Sequence, residues 1–316
     1  MVFRAVNDDA ALVLACVEAR VRRTPDAVRA AARRVDDWHA AMRIAAADGV
    51  LPLVTATLIE SAADDVPPGV LAWARQRLDE NVQRTLALSL ELHRVRAALA
   101  DCGIPSMALK GPALAVRAYG APYLRRCRDL DLLVGPDALW RAHEVALALG
   151  YRPFDPVGQL ETSRQREFLH QAGQAEYAHA SQDVSIDLQC RIAPRFLNPP
   201  AFEALWSRRG AAELPGGAVE TLGDTDLVLA LCLHGLRHGW ERFQWVTDVA
   251  LVALGIERGR WPAIGAEAAR WGARRAVALG LGIAATAAGL PIDAPELAWA
   301  RSHRGAARRA TRASSA

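Results

Sequence analysis

The sequence predicts an α+β fold, a small mixed sheet with its helices set between two helical regions. Three observations predict it. Helical periodicity fills residues 8 to about 100. Short apolar runs bounded by Gly and Pro then alternate with helix starts between Gly103 and Gly150. A hairpin pattern follows at 176 to 190, its second arm cleanly alternating.

In the first region Ala, Leu, Val and Arg recur at spacings of three and four, as in Leu86, Leu88, Leu90, Leu92 and Val95 near its end. Pro25, Pro52 and Pro67-Pro68 divide the segment into several helices. Ile104 to Leu109 reads as a strand. Lys110-Gly111-Pro112 follows, with Pro suited to a first helical turn, and a helix runs to Tyr119. Gly120-Ala121-Pro122 breaks it. Arg128 to Val134 is a second strand. Asp137 is placed to cap a helix through Leu149, which Gly150 ends. Residues 155 to 172 read as a looser polar stretch. Glu176 to Ala180 and Asp183 to Cys190 form the hairpin arms, and from Pro199 onward helix dominates. The domain reading is a helical region at 1–95, a core at 96–198, a helical region at 199–300, and a basic, disordered tail at 301–316.

The totals narrow the function classes. The 316 residues carry 38 basic and 35 acidic side chains, a net charge of +3, which disfavours nucleic acid as a partner. Cys16, Cys102, Cys127, Cys190 and Cys232 lie far apart, against a disulfide framework or a zinc cluster. A reducing cytoplasm fits. The longest charge-free stretch, Ala276 to Ile292, is rich in Ala and Gly and reads as a buried helix, not a membrane span. Neither a dinucleotide-binding Gly-rich loop nor a phosphate-loop Gly-Lys-Ser/Thr is present.

Asp129 and Asp131 sit two apart on a predicted strand, so both project from one face while Leu130, Leu132 and Val134 project from the other. Two adjacent carboxylates repel unless a cation lies between them. Mg²⁺ is the cation such oxygens select beside substrate phosphates. Asp187 occupies the polar face of the alternating hairpin arm Val184, Ile186, Leu188. If that arm lies beside the first strand, three carboxylates converge, enough for two metal ions. Lys110 and Gly111 open a helix whose N-terminus can face phosphate, and Arg125, Arg126 and Arg128 crowd the approach. A surface salt-bridge network is the plainer reading of the same residues.

The run Leu109-Lys110-Gly111-Pro112-Ala113-Leu114, then Tyr119, Leu124-Arg125, Asp129-Leu130-Asp131-Leu132-Leu133-Val134 and Gly150-Tyr151 resembles a largely uncharacterised bacterial nucleotidyltransferase family of the DNA polymerase β superfamily. Leu233 to Trp240, with Trp245 and Asp248, is similar to that family's C-terminal helix, and Asn81 to Gly103 to its lead-in helix. The resemblance spans roughly residues 30 to 260. It implies a polymerase-β-like core and transfer of a nucleotidyl group from an NTP such as ATP. It implies Asp129, Asp131 and Asp187 as catalytic metal ligands for one or two Mg²⁺. Lys110, Gly111, Arg125 and Arg128 are then the nucleotide-binding residues. Lys110-Gly111 stands where better-known members have Gly-Ser, and Pro112 removes one N–H that could grip phosphate. The expected acceptor is a peptide, protein or small molecule, with no membrane partner. Two alternatives stand beside this reading. One is a metal-dependent transferase using a nucleotide-sugar or other phosphate donor. The other is a binding protein that keeps the fold. His234 and His238 share a helix face and read as packing residues rather than zinc ligands.

Overall fold

The computed structural model describes residues 8–291. Its helices and strands, in chain order, begin with α1 (Asp8–Arg22), α2 (Pro25–Ala32), α3 (Trp38–Ala47), α4 (Leu51–Ser61) and α5 (Pro68–Asp101). Then come β1 (Ser106–Ala108), α6 (Gly111–Tyr119), β2 (Asp129–Val134), α7 (Leu139–Ala148) and β3 (Tyr151–Pro153). Next are α8 (Thr162–Ala172), β4 (Gln174–His179), β5 (Ser185–Gln189), α9 (Phe202–Ser207), β6 (Gly210–Leu214) and β7 (Gly217–Thr221). The last are α10 (Asp224–Arg237), α11 (Phe243–Leu254), α12 (Trp261–Arg270) and α13 (Arg274–Ala287). Two compact units result. Among the described residues, one comprises the stretch up to Val82, Tyr123–Arg126 and the stretch from Leu227 onward; the other comprises Gln83–Pro122 and Cys127–Asp226.

The first unit is helical. Its prolines stand where a missing N–H costs nothing: Pro25 and Pro52 lie in the opening turns of α2 and α4. Asp37 caps α3 by accepting from the Ala40 N–H at 2.9 Å. Leu12, Cys16 and Val17 of α1, Leu53 and Leu58 of α4, Val246 and Val249 of α11, and Val277 and Leu281 of α13 are buried. The chain segment 123–126 is tied into this unit by polar contacts. Asn81 donates to the Tyr123 carbonyl at 2.6 Å, and Gln244 donates to the Arg126 carbonyl at 2.9 Å. The Arg125 guanidinium forks onto both oxygens of Asp248, at 2.8 and 2.9 Å, with both residues buried. Breaking a buried pair strands the surviving charge. Arg125→Ala is therefore expected to cost about 3–5 kcal/mol in urea unfolding. Arg125→Met with Asp248→Leu, which removes both charges, should recover most of that loss. The expected helix at 276–292 is α13, and of its span Ile292 lies outside the described residues, as does the expected tail at 301–316.

The second unit is built on a seven-stranded sheet in the order β3-β4-β5-β2-β1-β7-β6. β2 runs parallel to β5, and β1 parallel to β7; the other pairs are antiparallel. Strand alternation gives the sheet two chemically different faces. Leu130, Leu132 and Val134 of β2 join Ile186 and Leu188 of β5 in a core covered by α5 and α7. Leu88, Leu92, Val95 and Leu99 supply the α5 side of it at three- and four-residue spacing, whereas Leu86 and Leu90, read with them in the sequence, are exposed because they fall on the other side of the helix. Asp129 and Asp131 therefore project from the opposite face.

Three local expectations are corrected. Helix dominates after Pro199 as expected, beginning with α9, but it is interrupted: β6 and β7 form a hairpin whose two-residue turn is Pro215-Gly216, with Leu214 opposite Gly217. The polar stretch 155–172 contains α8. Asp137 caps nothing with its side chain, because a 3₁₀ turn over Pro136–Ala138 leads into α7. Among the described residues, no helix is long and apolar enough to cross a membrane.

Candidate active site

The carboxylates meet through strand register. On the parallel pair, Asp131 lies opposite Asp187, and Asp129 opposite Ser185. Neighbouring strands run about 4.8 Å apart, so in-register side chains on one face are in close range. The next strand extends the row, since Glu176 of β4 lies opposite Asp187. Asp131 is 4% exposed, whereas Asp129 and Glu176 are open to solvent. The Asp187 Oδ1 atom is buried and meets no hydrogen-bond partner among the described residues. Burial, and after it the Asp131 charge, push the Asp187 carboxyl up to about 7; Lys110 opposes the shift, while Glu176 and Asp129 add to it.

Lys110 is the chain's single lysine; every other basic side chain among the 38 is arginine. Its ammonium lies 2.7 Å from Asp131 Oδ1 and is largely shielded from solvent. This ammonium is a compact point charge with three donors, suited to a carboxylate row at a helix start. Gly111 follows at φ +61°, and a Cβ there would come within 3.3 Å of the Asp129 carbonyl oxygen. Glycine thus lets the start of α6 approach the strand that carries the carboxylates. No side chain caps this helix end.

The three arginines of the approach have different fates. Arg125 is committed to Asp248 in the helical unit, as described above. Arg126 donates to the Ala46 carbonyl at 3.1 Å. Arg128, directly before Asp129, is exposed. A residue not anticipated from sequence, Arg84 of α5, organises the strand ends. It donates to the Cys127 carbonyl at 3.2 Å and the Arg128 carbonyl at 3.1 Å, and it pairs with Asp183 just ahead of β5. One guanidinium thereby ties together the starts of the two carboxylate strands. Arg84→Ala is expected to lower the rate of the chemistry that the carboxylate row carries by roughly 10²-fold. Arg84→Lys should not rescue it, because an ammonium lacks the planar fork. Steady-state rates beside thermal melts check this: a loss of rate without a matching loss of melting temperature is the predicted result.

The donors suit Mg²⁺. They are hard carboxylate oxygens, and one of them, Asp187 Oδ1, is buried without a partner. Among the described residues, no three His, Cys, Asp or Glu side chains come together as a ready-made metal cage. Mg²⁺ asks for less, since one or two carboxylates with waters and substrate phosphates suffice. The His234 and His238 rings are tilted against each other at 4.6 Å between centroids, and Trp245 packs on both at 5.3 and 5.2 Å.

A mixed sheet with helices on one face and a carboxylate row on the other is the framework of a nucleotidyltransferase core. Residues 35–289 match a family described as "Uncharacterised nucleotidyltransferase", and the chain belongs to that family. No curated protein matches the chain. No solved structure matches it either.

Proposed function

We propose that the protein transfers a nucleotidyl group from an NTP to the hydroxyl of a peptide, protein or small-molecule acceptor, with Mg²⁺ as its cofactor. The observation that carries this reading is the register of Asp131 against Asp187, with Asp129 on the same face and Lys110-Gly111 at the adjoining helix start. Asp129, Asp131 and Asp187 would hold one or two Mg²⁺ ions, which when bound supply charge neutralisation on the phosphates. The acceptor oxygen attacks the α-phosphorus, and its proton passes to the Asp187 carboxylate. The bond from the α-phosphorus to the oxygen bridging the β-phosphorus breaks, and pyrophosphate leaves. Lys110, the N–H of Gly111 and the exposed Arg128 receive phosphate charge, so that positioning and electrostatics carry the rate. Arg125, forked on Asp248, supports the chain ahead of β2 instead of contacting phosphate.

The test uses NTPs labelled at the α-phosphate, nucleotide-sugars labelled in the sugar, and a panel of hydroxyl acceptors. Labelled nucleotide on the acceptor, with one pyrophosphate released per transfer, is the expected result. Sugar or a terminal phosphate on the acceptor would instead establish a transferase of the second kind.

A further inference from the structure

We infer that the cavity at the far end of β2 and β5 is the acceptor pocket, and that it takes a small apolar acid carrying a hydroxyl. The inference rests on the nucleotidyltransferase reading above. The cavity encloses about 260 Å³. Its position relative to the carboxylates follows from the sheet. Leu133, one of its lining residues, lies two residues beyond Asp131, on the same face and about 7 Å along the strand. Cys190, also lining it, stands three residues past Asp187. Phe202 and Leu205 of α9 form the opposite wall. The phosphate side of the carboxylates is the β1–α6 side, where Lys110 sits on Asp131. Most of the cavity is lined by the segment 190–200 that leaves β5, and β5 flanks β2 on the side away from β1. An acceptor seated there approaches from the Asp187 side, opposite the phosphates.

The walls specify the chemistry. No acidic side chain lines the cavity, whereas Arg191 and Arg195 do. Both guanidiniums are held by backbone carbonyls, Arg191 half-buried and Arg195 exposed at the rim. Arg191 donates to the carbonyls of His170, Gln171 and Ala172 at the C-terminus of α8, at 3.2, 3.2 and 3.0 Å. Arg195 donates to the Gln171 carbonyl at 2.5 Å. Gly173 ends α8 at φ +72°, which favours glycine, and its missing Cβ leaves room for the Arg191 guanidinium. A guanidinium carries five N–H donors, so both keep donors for a ligand. Neither forms an ion pair with an acidic side chain among the described residues. Apolar walls with positive charge at the rim, and the Asp131–Asp187 row two residues back along the strands from Leu133, complement an apolar body. That body bears an anion at one end and a hydroxyl at the other. The volume falls just below the roughly 300–1,000 Å³ of drug-sized sites, which selects a small molecule over a polymer.

Two phenols of similar size and opposite charge test the inference, 4-hydroxyphenylacetate and tyramine. Their binding to the full chain is measured by calorimetry without nucleotide. The wild type should bind the acid at least tenfold more tightly than the amine. Ala193→Trp and Cys190→Trp, each filling the cavity, should weaken the acid at least tenfold where the variant melts cooperatively like wild type. Arg195→Glu should abolish the preference for the acid. Equal or tighter binding of tyramine, or undiminished binding of the acid by both filled variants, overturns the pocket. Mg²⁺ and NTP are then added. Nucleotidylated acid, seen as a mass shift and lost in the filled variants, supports the acceptor role. Acid that binds as stated while the wild type transfers nucleotide to no acceptor leaves an anion pocket standing and overturns the nucleotidyltransferase reading. Transfer to other acceptors that continues unchanged in the filled variants overturns the acceptor role alone.

Discussion

Replacing Asp129 and Asp131 together by Asn is expected to lower Mg²⁺-dependent nucleotidyl transfer by roughly 10³-fold or more, the scale of removing a main electrostatic element from an active site. The double variant should still fold. Leu130, Leu132 and Val134, which bury the strand, are untouched, and the register of β2 with β1 and β5 is set by backbone hydrogen bonds. Lys110 loses its carboxylate partner at 2.7 Å, but an Asn oxygen can still accept from the ammonium. The cost in stability is therefore about 1 kcal/mol, far below the loss in rate. Circular dichroism melts run beside the transfer assay separate the two. Transfer within tenfold of wild type in a well-folded double variant would show that the chemistry lies elsewhere.

Asp187→Asn is expected to abolish transfer and yet stabilise the protein in metal-free buffer. In the fold this carboxyl is held near 7 by burial and by the negative charge of Asp131, well above the ordinary value of 3.8. The consequence for stability has a definite sign. Below about pH 4 the folded and unfolded chains both carry the proton, and the group costs nothing. Between about 4 and 7 the unfolded chain ionises while the folded chain keeps its proton, so stability falls as the pH rises. Above about 7 the penalty is complete. Asparagine carries no charge and avoids it. The gain should be absent near pH 4 and reach on the order of 2 kcal/mol at pH 8. In thermal melts that is an upward shift of about 3 °C for a chain of this length. Adding Mg²⁺ should raise the melting temperature of the wild type more than that of the variant, since a ligand stabilises only the chain that holds it. A variant less stable than wild type at pH 8 would contradict this account of the site's electrostatics.

Much of the core was legible because its signals are local. Leu130, Leu132 and Val134 alternate with Asp129 and Asp131, and that alternation alone assigns the two faces of β2. Gly111-Pro112 marked the helix start, and the arms around Ser181-Gln182 marked the β4–β5 hairpin. What the sequence could not supply was the pairing of β2 with β5. Parallel strands joined through a long crossover leave no local trace of their register. Glu176 was overlooked for a related reason, since its place in the row depends on which residue of β4 faces Asp187. The β6–β7 hairpin was hidden by an Ala- and Leu-rich composition, although Pro215-Gly216-Gly217 is a turn signal. Arg125 and Arg128 look alike in sequence. Burial against Asp248 separates them, and that contact joins residues 123 apart. Arg84 could be singled out only once three acceptors from two strands had been brought around it. Lys110 could have been weighted more heavily from composition alone, as the one lysine in a chain that otherwise uses arginine.

The central claim is that Asp129, Asp131 and Asp187 form a metal and nucleotide site. It is tested most directly by titrating the protein with Mn²⁺ and following free ion by electron paramagnetic resonance, with and without a non-hydrolysable NTP analogue. The wild type should take up one or two ions, more tightly when the analogue is present, and the Asp129→Asn/Asp131→Asn protein should take up neither ion nor analogue beyond background. Equal uptake by the two proteins would contradict it.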